Sequence, residues 1–248
     1  AILSALDLVL AQSRPYSHRF AQLGARDVRH IGNLKFDCAA PPVDQDALET
    51  INADLEGRPF WLAASTHDGE EDLIAAAHFA IRERYPNLLT IIVPRHPDRA
   101  EAITKLIEER WLVTARRSLS QKIDAKTDIY IADTMGELGL FYRLAQVAFI
   151  GGSLVKTGGH NPIEPAQLDC AIVHGPHVHN FADTYAALDN AGGALAIADS
   201  AELAHQISDL LSNAARCTGL VATSKVEIAR NEGTVERALE LLAPQFAA

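Results

Sequence analysis

Residues 145–165 read AQVAFIGGSLVKTGGHNPIEP and place an apolar run, two glycine pairs and a helix start in direct succession. The apolar run ends in Gly151 and Gly152, and Gly158 and Gly159 form the second pair. Because glycines have no side chain, backbone amides at these positions can approach a ligand closely. The stretch therefore predicts a strand followed by a loop whose amides, after Gly152, bind a ligand oxyanion.

A helix start follows the second glycine pair. Asn161 is predicted to be the N-cap and Pro162 the first helical residue, and Glu164 lies three residues after the cap, as in a capping box. Helices that bind no ligand also use this box, so the alternative that the pair only closes the helix stays open. The upstream glycines favour a ligand because a cap does not require them.

The same alternation of an apolar run and a segment of helical spacing recurs along the chain. Near-continuous apolarity indicates strands that are buried on both faces, as in parallel sheets covered by helices. The predicted fold class is therefore α/β, with a Rossmann-like doubly wound parallel sheet. The runs are LVLAQ (8–12), FWLAAS (60–65), LTIIVP (89–94), IYIAD (129–133), VAFIGG (147–152), CAIVHG (170–175) and ALAIAD (194–199).

Two domains are predicted, with a boundary after residue 57. Residues 1–57 supply too few elements for an independent domain of this type, and they contain Pro41 and Pro42. They are interpreted as the tail of a preceding domain and its linker, whereas residues 58–248 form the second domain. The chain opens with alanine, so we expect it to be a fragment.

Composition excludes several classes of protein. The chain has 248 residues, of which 48% are hydrophobic and 22% charged, and its formal net charge is −10. This balance is typical of a soluble globular protein and argues against broad contact with nucleic acid or an anionic membrane. No apolar run approaches the ~20 residues of a membrane helix. Three widely separated cysteines support neither a disulfide framework nor a cysteine zinc site. No metal and no cofactor are expected.

Polar residues follow most of the apolar runs, where ligands bind in open parallel sheets. Arg95 is the best candidate for a phosphate, because its guanidinium can bond two oxygens, although a structural ion pair stays an alternative. Glu137 follows Thr134 at capping-box spacing, so the alternative that it only closes a helix stays open. The histidines of HGPHVH (174–179) lack adjoining acidic or cysteine ligands, so a metal site is not expected there.

Five motifs occur in order over nearly the whole chain. They are ASTHDGEE (64–71), VPRHPDR (93–99), DTMGELGLFYRLAQVAFIGGS (133–153), GGHNPIEPA (158–166) and GPHVHNF (175–181). Together they resemble the C-terminal half of the 3-deoxy-D-manno-octulosonic acid (Kdo) transferases, which are glycosyltransferases of lipopolysaccharide biosynthesis. The resemblance implies a GT-B architecture, in which this half is the C-terminal nucleotide-sugar-binding domain.

The resemblance also implies ligands and site residues. This half binds the CMP of CMP-Kdo, and Kdo is transferred with inversion to a hydroxyl of a lipid A precursor. Glu164 bonds the ribose hydroxyls, and four residues line the phosphate side. The implied CMP contacts are Pro94, Arg95, Met135, Gly136, Glu137, Asn161, Pro162, Ile163 and Glu164, and the phosphate-side residues are Ser153, Gly158, Gly159 and His160.

By the same resemblance, no catalytic residue belongs to this chain. The general base is a glutamate of the N-terminal domain, and that domain also holds the acceptor and contacts the cytoplasmic face of the bacterial inner membrane. We therefore expect the present chain to be soluble and inactive alone. Two alternatives stay open: another GT-B enzyme such as a UDP-sugar epimerase, and a non-catalytic nucleotide-binding module.

Overall fold

A computed structural model describes residues 2–246 of the chain. The chain divides into two compact units, of which unit 1 comprises Ala1–Ala39 and Ile228–Ala248, and unit 2 comprises Ala40–Glu227. The assignment of residues 1–57 to a preceding domain and its linker stays a prediction.

The elements alternate between strand and helix through most of the chain. In the described residues the strands are β1 (Val9–Ala11), β2 (Val28–His30), β3 (Phe60–Thr66), β4 (Leu89–Pro94), β5 (Thr114–Arg116), β6 (Ile129–Ile131), β7 (Val147–Ile150), β8 (Ala171–His174) and β9 (Ala194–Ala196). The α-helices are α1 (Arg14–Gln22), α2 (Gln45–Leu55), α3 (Glu70–Arg82), α4 (Ala100–Glu108), α5 (Leu138–Leu144), α6 (Ile163–Gln167), α7 (Ala182–Ala191), α8 (Ser200–Ser212), α9 (Ala214–Ala229) and α10 (Thr234–Phe246).

Unit 1 joins the first residues of the chain to its last helix. Strands β1 and β2 pair in parallel, and α1 connects them. The Asp37 carboxylate accepts the backbone N–H of Gly233 at 2.6 Å and that of Val235 at 2.5 Å, at the start of α10. Arg237 of α10 donates to the carbonyl of Ile31 at 3.0 Å. The segment that follows β2 is therefore fixed by a helix almost two hundred residues later.

Unit 2 contains a seven-stranded parallel sheet in the order β5-β6-β4-β3-β7-β8-β9. From β3 the sheet extends through β4, β6 and β5 on one side and through β7, β8 and β9 on the other, and the edge strand β5 precedes β6 in the chain. This confirms the predicted doubly wound α/β fold. The strand order reverses between β3 and β7, and ligands of such sheets bind in the crevice at this switch point, outside the carboxyl ends of the strands.

The core lies on both faces of this sheet. Trp61 and Ala63 of β3 belong to the same hydrophobic cluster as Ile74 of α3 and Leu203 of α8, and all four are fully buried. Every residue of β4 and of β7 is buried, which agrees with the near-continuous apolarity of their sequences. Strand β5 was not among the predicted runs, because its three residues, Thr-Ala-Arg, carry no apolar pattern.

His78 of α3 is a buried polar group inside this core. Its Nδ1 lies 2.9 Å from the hydroxyl of Thr90, but its Nε2 has no hydrogen-bond partner among the described residues. The nearest carboxylate, that of Asp128, is 3.9 Å from Nε2, beyond hydrogen-bonding distance. Burial is the main cause that lowers the pKa of His78 to about 4, so the ring is neutral in the folded protein at pH 7.

We expect this histidine to make stability depend on pH. The unfolded chain takes up a proton on residue 78 near pH 6.5 and the folded one only near pH 4, so stability is complete above pH 6.5 and falls as the pH drops towards 4. The loss attributable to His78 between pH 7 and pH 5 is about 2 kcal/mol. Urea denaturation at a series of pH values, on the protein and on His78→Gln, measures it.

The His78→Gln variant should show a shallower decline of unfolding free energy over this range. His205, exposed on α8, provides the matched control, because His205→Gln removes a histidine without changing the core. Equal pH slopes for the protein and for His78→Gln would contradict the assignment.

Candidate functional site

The loops at the carboxyl edge of the sheet form the candidate site. At the switch point the loop after β3 (residues 67–69) adjoins the loop after β7 (residues 151–162). Pro94 ends the neighbouring strand β4, and Arg95 follows it. Pairing of β3 with β4 shifts register at Ser65, whose φ is +57°, so β3 is bulged just before its loop. Bulges of this kind redirect side chains beside functional sites.

The carboxylate of Glu70 organises the two loops at the switch point. It accepts backbone N–H groups from Gly152 at 2.7 Å, Ser153 at 3.1 Å, Leu154 at 3.0 Å and His67 at 2.9 Å. The residue is fully buried, and burial raises the pKa of Glu70, while the four N–H donors oppose that shift. One buried side chain therefore binds the loop after β7 to the start of α3.

This finding corrects the expectation that the amides after Gly152 bind a ligand oxyanion. Three of them already donate to Glu70, and a buried carboxylate requires those donors itself. In the sequence, Glu70 stands out only as part of the motif ASTHDGEE (64–71). The sequence alone does not show that this residue, some eighty positions before the glycine loop, accepts hydrogen bonds from the amides of that loop.

Two of the glycines are required by close backbone approach. A Cβ on Gly151 would lie 2.5 Å from the carbonyl oxygen of Ser65, which leaves no room for a side chain. Gly158 has φ +106°, and its Cβ would lie 2.6 Å from the amide nitrogen of Asn180. That side chain donates to the carbonyls of Thr157 at 3.1 Å and Gly159 at 3.3 Å. The glycine loop is thus held in a defined shape.

Ser153 lies on the inner side of this loop and is fully buried. Its hydroxyl donates to the carbonyl of Ile150 at 2.5 Å and accepts the N–H of Gly175 at 2.8 Å. The side chain therefore connects the loop after β7 with the loop after β8. A contact of Ser153 with a phosphate stays a prediction.

Asn161 and Glu164 lie together at the end of the loop, but not as the predicted capping box. Helix α6 begins at Ile163, and Pro162 is its N-cap, one residue later than predicted. The reason is that the Asn161 side chain accepts the N–H of Ile163 at 3.1 Å in a turn, while its amide donates to Oε1 of Glu164 at 3.0 Å. Glu164 is half-buried, and its carboxylate is held in place by Asn161.

Arg95 offers an exposed positive charge directly after β4. Its backbone N–H donates to the carbonyl of Thr66 at 3.0 Å, which fixes the main chain beside β3. Among the described residues, no carboxylate lies within ion-pair distance of its guanidinium. The alternative of a structural ion pair is therefore not supported, in contrast to nearby Arg99, which is bound by Glu71 at 2.8 Å and Asp68 at 3.0 Å.

The loop after β6 presents Met135 and Gly136 to solvent. Met135 is 76% exposed, and Gly136 has φ +81° with open space around its Cα. Glu137 is the N-cap of α5, and its carboxylate accepts two hydrogen bonds from Arg117, at 2.6 and 3.0 Å. The hydrogen bonds from Arg117 lower the pKa of Glu137. The predicted box with Thr134 is replaced by a contact between the two side chains.

Three histidines meet at the switch point. Nε2 of His67 lies 2.7 Å from Nε2 of His160, and the two rings stack with centroids 5.0 Å apart and planes inclined by 4°. The ring of His96, after β4, meets that of His67 edge-on at 5.7 Å. Burial, followed by the nearby His96 and Arg99, lowers the pKa of His67. Sequence reasoning had placed only His160 at the site.

His174, the first histidine of residues 174–179, is bound to neighbouring groups. The imidazole of His174 binds Asp189 at 2.9 Å and faces the carbonyl of Gly175 at 2.8 Å, so both ring nitrogens have partners. No cluster of three or more potential metal ligands occurs in residues 2–246. No helix in this part of the chain combines the length and apolar character needed to cross a membrane.

The arrangement is suited to binding an anionic nucleotide. Arg95 supplies a fixed positive charge, and the Glu164 carboxylate supplies acceptors for hydroxyl groups. Both lie at the carboxyl edge of the sheet, beside the switch point where such ligands bind. Arg117 and Glu137 shape the neighbouring loop as an ion pair, a role that the sequence alone did not indicate because β5 was not predicted.

No family model matches the chain. The chain is 34% identical over 249 residues to the 3-deoxy-D-manno-octulosonic acid transferase of Haemophilus influenzae, covering 97% of this chain and 57% of that protein. It is also 34% identical to the solved C-terminal CMP-Kdo binding domain of WaaA from Acinetobacter baumannii, with a TM-score of 0.70, covering 74% of this chain and 96% of that domain.

A more distant structure shows the fold alone. TarM is 14% identical, with a TM-score of 0.62 over 99% of this chain and 44% of that protein. Together the two structures confirm the predicted fold class, the C-terminal, Rossmann-like domain type of the GT-B glycosyltransferases. The chain spans 57% of the length of the Haemophilus relative and 44 to 57% of the length of seven further curated relatives.

Proposed function

The chain belongs to the 3-deoxy-D-manno-octulosonic acid transferase family, and on this premise we propose that it binds the donor CMP-Kdo through its CMP moiety. It is then the donor-binding half of an inverting glycosyltransferase that transfers Kdo to a lipid A precursor. The observation on which this proposal mainly rests is the exposed guanidinium of Arg95 at the carboxyl edge of β4, next to the switch point, which has no carboxylate partner within residues 2–246.

Residues from three loops are proposed to contact CMP. Pro94 and Arg95 contact the phosphate, because a guanidinium can bond two phosphate oxygens at once. Met135 and Gly136, exposed after β6, border the base, and Glu137 holds their loop through Arg117. The third loop comprises Asn161, Pro162, Ile163 and Glu164, and Gly158, Gly159, Ser153 and His160 lie on the phosphate side.

The rest of the reaction is proposed to depend on residues outside this chain. An inverting sugar transfer requires stabilisation of the leaving phosphate and a general base on the opposite face of the sugar. The present residues supply only the former. A glutamate of the N-terminal domain is proposed as the base, and the same domain is proposed to hold the lipid A precursor at the cytoplasmic face of the inner membrane.

The experiment that tests the donor assignment is titration of the chain with CMP and, separately, with UMP by calorimetry. Selective binding of CMP supports the proposal, because uridine differs from cytidine only in the donor and acceptor pattern of the base. A preference for UMP would instead favour another GT-B enzyme, such as a UDP-sugar epimerase. Binding of neither nucleotide would contradict the proposal for this chain.

Glu164→Gln is expected to weaken CMP binding about tenfold, since a charge-assisted hydrogen bond to a ribose hydroxyl is replaced by a neutral one. The fold should be unaffected, because a glutamine oxygen can still accept the Asn161 amide that now binds Oε1 at 3.0 Å. Calorimetric titration with CMP and urea denaturation of the same variant measure the two effects.

The matched control for this variant is a change in the ligand that removes the ribose hydroxyls. The protein should lose affinity when CMP is replaced by its 2′,3′-dideoxy analogue, whereas Glu164→Gln should lose much less, because the interacting hydroxyls and the charge belong to one contact. Equal losses of affinity for both proteins would show that Glu164 only orders the turn before α6 and does not bind the ribose hydroxyls.

A further inference from the structure

The proposed donor carries two anionic groups. In a CMP-linked ulosonic acid the phosphodiester and the carboxylate are both attached to the anomeric carbon, so their charges lie only a few bonds apart. Arg95 supplies a single positive charge. Because neighbouring anions require separate compensation in a partly buried site, a second cationic group is expected close to Arg95.

The main chain does not supply this compensation. The amides of Gly152, Ser153 and Leu154 are bound by Glu70, and the Arg99 guanidinium is bound by carboxylates on either side. Besides Lys156, which is exposed in the loop after β7, imidazoles that can gain a proton are a further source of positive charge at the switch point.

The stacked imidazoles of His67 and His160 occupy this position. One follows β3 and the other lies in the loop after β7, so the pair spans the switch point. A Cβ on Gly152 would lie 3.3 Å from the ring of His67 and 3.2 Å from that of His160, so both rings border the glycine loop. The pair therefore lies between the glycine loop and the end of β4, where His96 meets His67.

The pair can change its charge when an anion arrives. Two Nε2 atoms 2.7 Å apart share one proton, so the neutral pair becomes a singly charged pair by taking up one more proton. The charged and titratable groups around His67 are His96 and Arg95 after β4, Arg99 before α4, and Glu71 in α3. Glu71 is already bound by Arg99 and Thr66, so it does not compensate the charge of the pair fully.

We infer that the His67–His160 pair is the subsite for the carboxylate of the donor sugar, next to the phosphate bound by Arg95. This inference rests on the proposed function and deepens it. The pair distinguishes ulosonic acid donors from donors with neutral sugars, because only the former bring a second anion to the switch point. Binding of the carboxylate is coupled to uptake of one proton by the pair.

The test compares two ligands on one double variant. CMP-Kdo carries the carboxylate, whereas the methyl phosphodiester of CMP keeps the single phosphate charge and lacks the sugar. The protein should bind CMP-Kdo at least about tenfold more tightly than the methyl ester, and in His67→Gln/His160→Gln this ratio should fall to about twofold. Affinity for the methyl ester should fall several-fold less than affinity for CMP-Kdo, because His160 also borders the phosphate, and the binding that remains shows that the variant is folded.

Proton uptake provides a second readout. Calorimetry in buffers of different ionisation enthalpy should show more proton uptake with CMP-Kdo than with the methyl ester at pH 7.5, and the double variant should lose the difference. His177→Gln is the matched control, since this histidine lies at the same sheet edge and donates to Ser153 only through its backbone, at 2.9 Å.

The possible outcomes distinguish failure of the proposed function from failure of the inference alone. A protein that binds neither CMP-Kdo nor the methyl ester would overturn the proposed function and the inference together. If the methyl ester binds but the ratio is near one in the protein, or is unchanged in the double variant, only the inference is overturned. A parallel loss of both affinities in the double variant would likewise overturn it, because the pair would then support the loop and not the carboxylate.

Discussion

Replacing Glu70 by alanine is expected to lower the free energy of unfolding by about 4 kcal/mol and to remove nucleotide binding. The change leaves the N–H groups of His67, Gly152, Ser153 and Leu154 without their common acceptor in a fully buried position. Since unfolding free energies of domains are about 5–15 kcal/mol, this loss is a large part of the total. Urea denaturation and CMP titration measure the two effects.

Asp72 provides the control, because it is another acid in the first turn of α3 but is half-exposed and paired with Arg110. Asp72→Ala should cost less than about 1 kcal/mol and leave CMP affinity unchanged. Glu70→Gln should lie between the two, since its amide group can accept only some of the four N–H bonds. A loss below 1 kcal/mol for Glu70→Ala would show that water or loop movement replaces the carboxylate.

Replacing Arg95 by alanine should weaken CMP binding about 30-fold without changing stability, whereas Glu70→Ala should affect both. The guanidinium has no carboxylate partner among the described residues, so its removal leaves nothing unsatisfied in the folded protein. Arg95→Lys should lose about half of this binding energy, because an ammonium keeps the charge but cannot bond two phosphate oxygens in a fork. Calorimetric titration with CMP at low and moderate salt checks both variants.

Arg84→Ala is the matched charge control. Arg84 lies just beyond the end of α3, over the ring of Tyr85 at 5.6 Å, and its removal changes the net charge equally. If Arg84→Ala weakens CMP binding as much as Arg95→Ala does, the effect is one of overall charge. If Arg95→Ala lowers unfolding free energy by more than 1 kcal/mol, the arginine has a structural role instead.

Much of the fold could be predicted, because buried parallel strands leave a direct signal. Six of the predicted runs contain the strands β3, β4, β6, β7, β8 and β9, and the seventh, LVLAQ, contains β1. Strand β5 was not predicted, because an edge strand with one buried residue needs no apolar run. The order of strands, and hence the switch point between β3 and β7, also required the structure, since alternation along the chain does not state which strands are neighbours.

The site was predicted less completely, for a physical reason. Local signals identified Arg95, the glycine pairs and the Asn161–Glu164 segment, because each depends on neighbours in sequence. The function of Glu70 depends on amides more than eighty residues away, and the contact of His67 with His160 spans 93 positions. A capping pattern was misplaced by one residue at Asn161, where the side chain closed a turn before the helix.

The contact of Asp37 with the start of α10 has a consequence for the order in which the two units fold during translation. Its partner at Gly233 lies 196 positions later in the chain, so at usual ribosomal rates about 10 to 40 s pass between the two. All strands of the seven-stranded sheet emerge in that interval, so unit 2 can fold first. Ile31 and Phe36, which are buried in the folded protein, lack the contacts of α10 during that interval. We therefore expect these two residues to depend on chaperone protection until α10 has been synthesised.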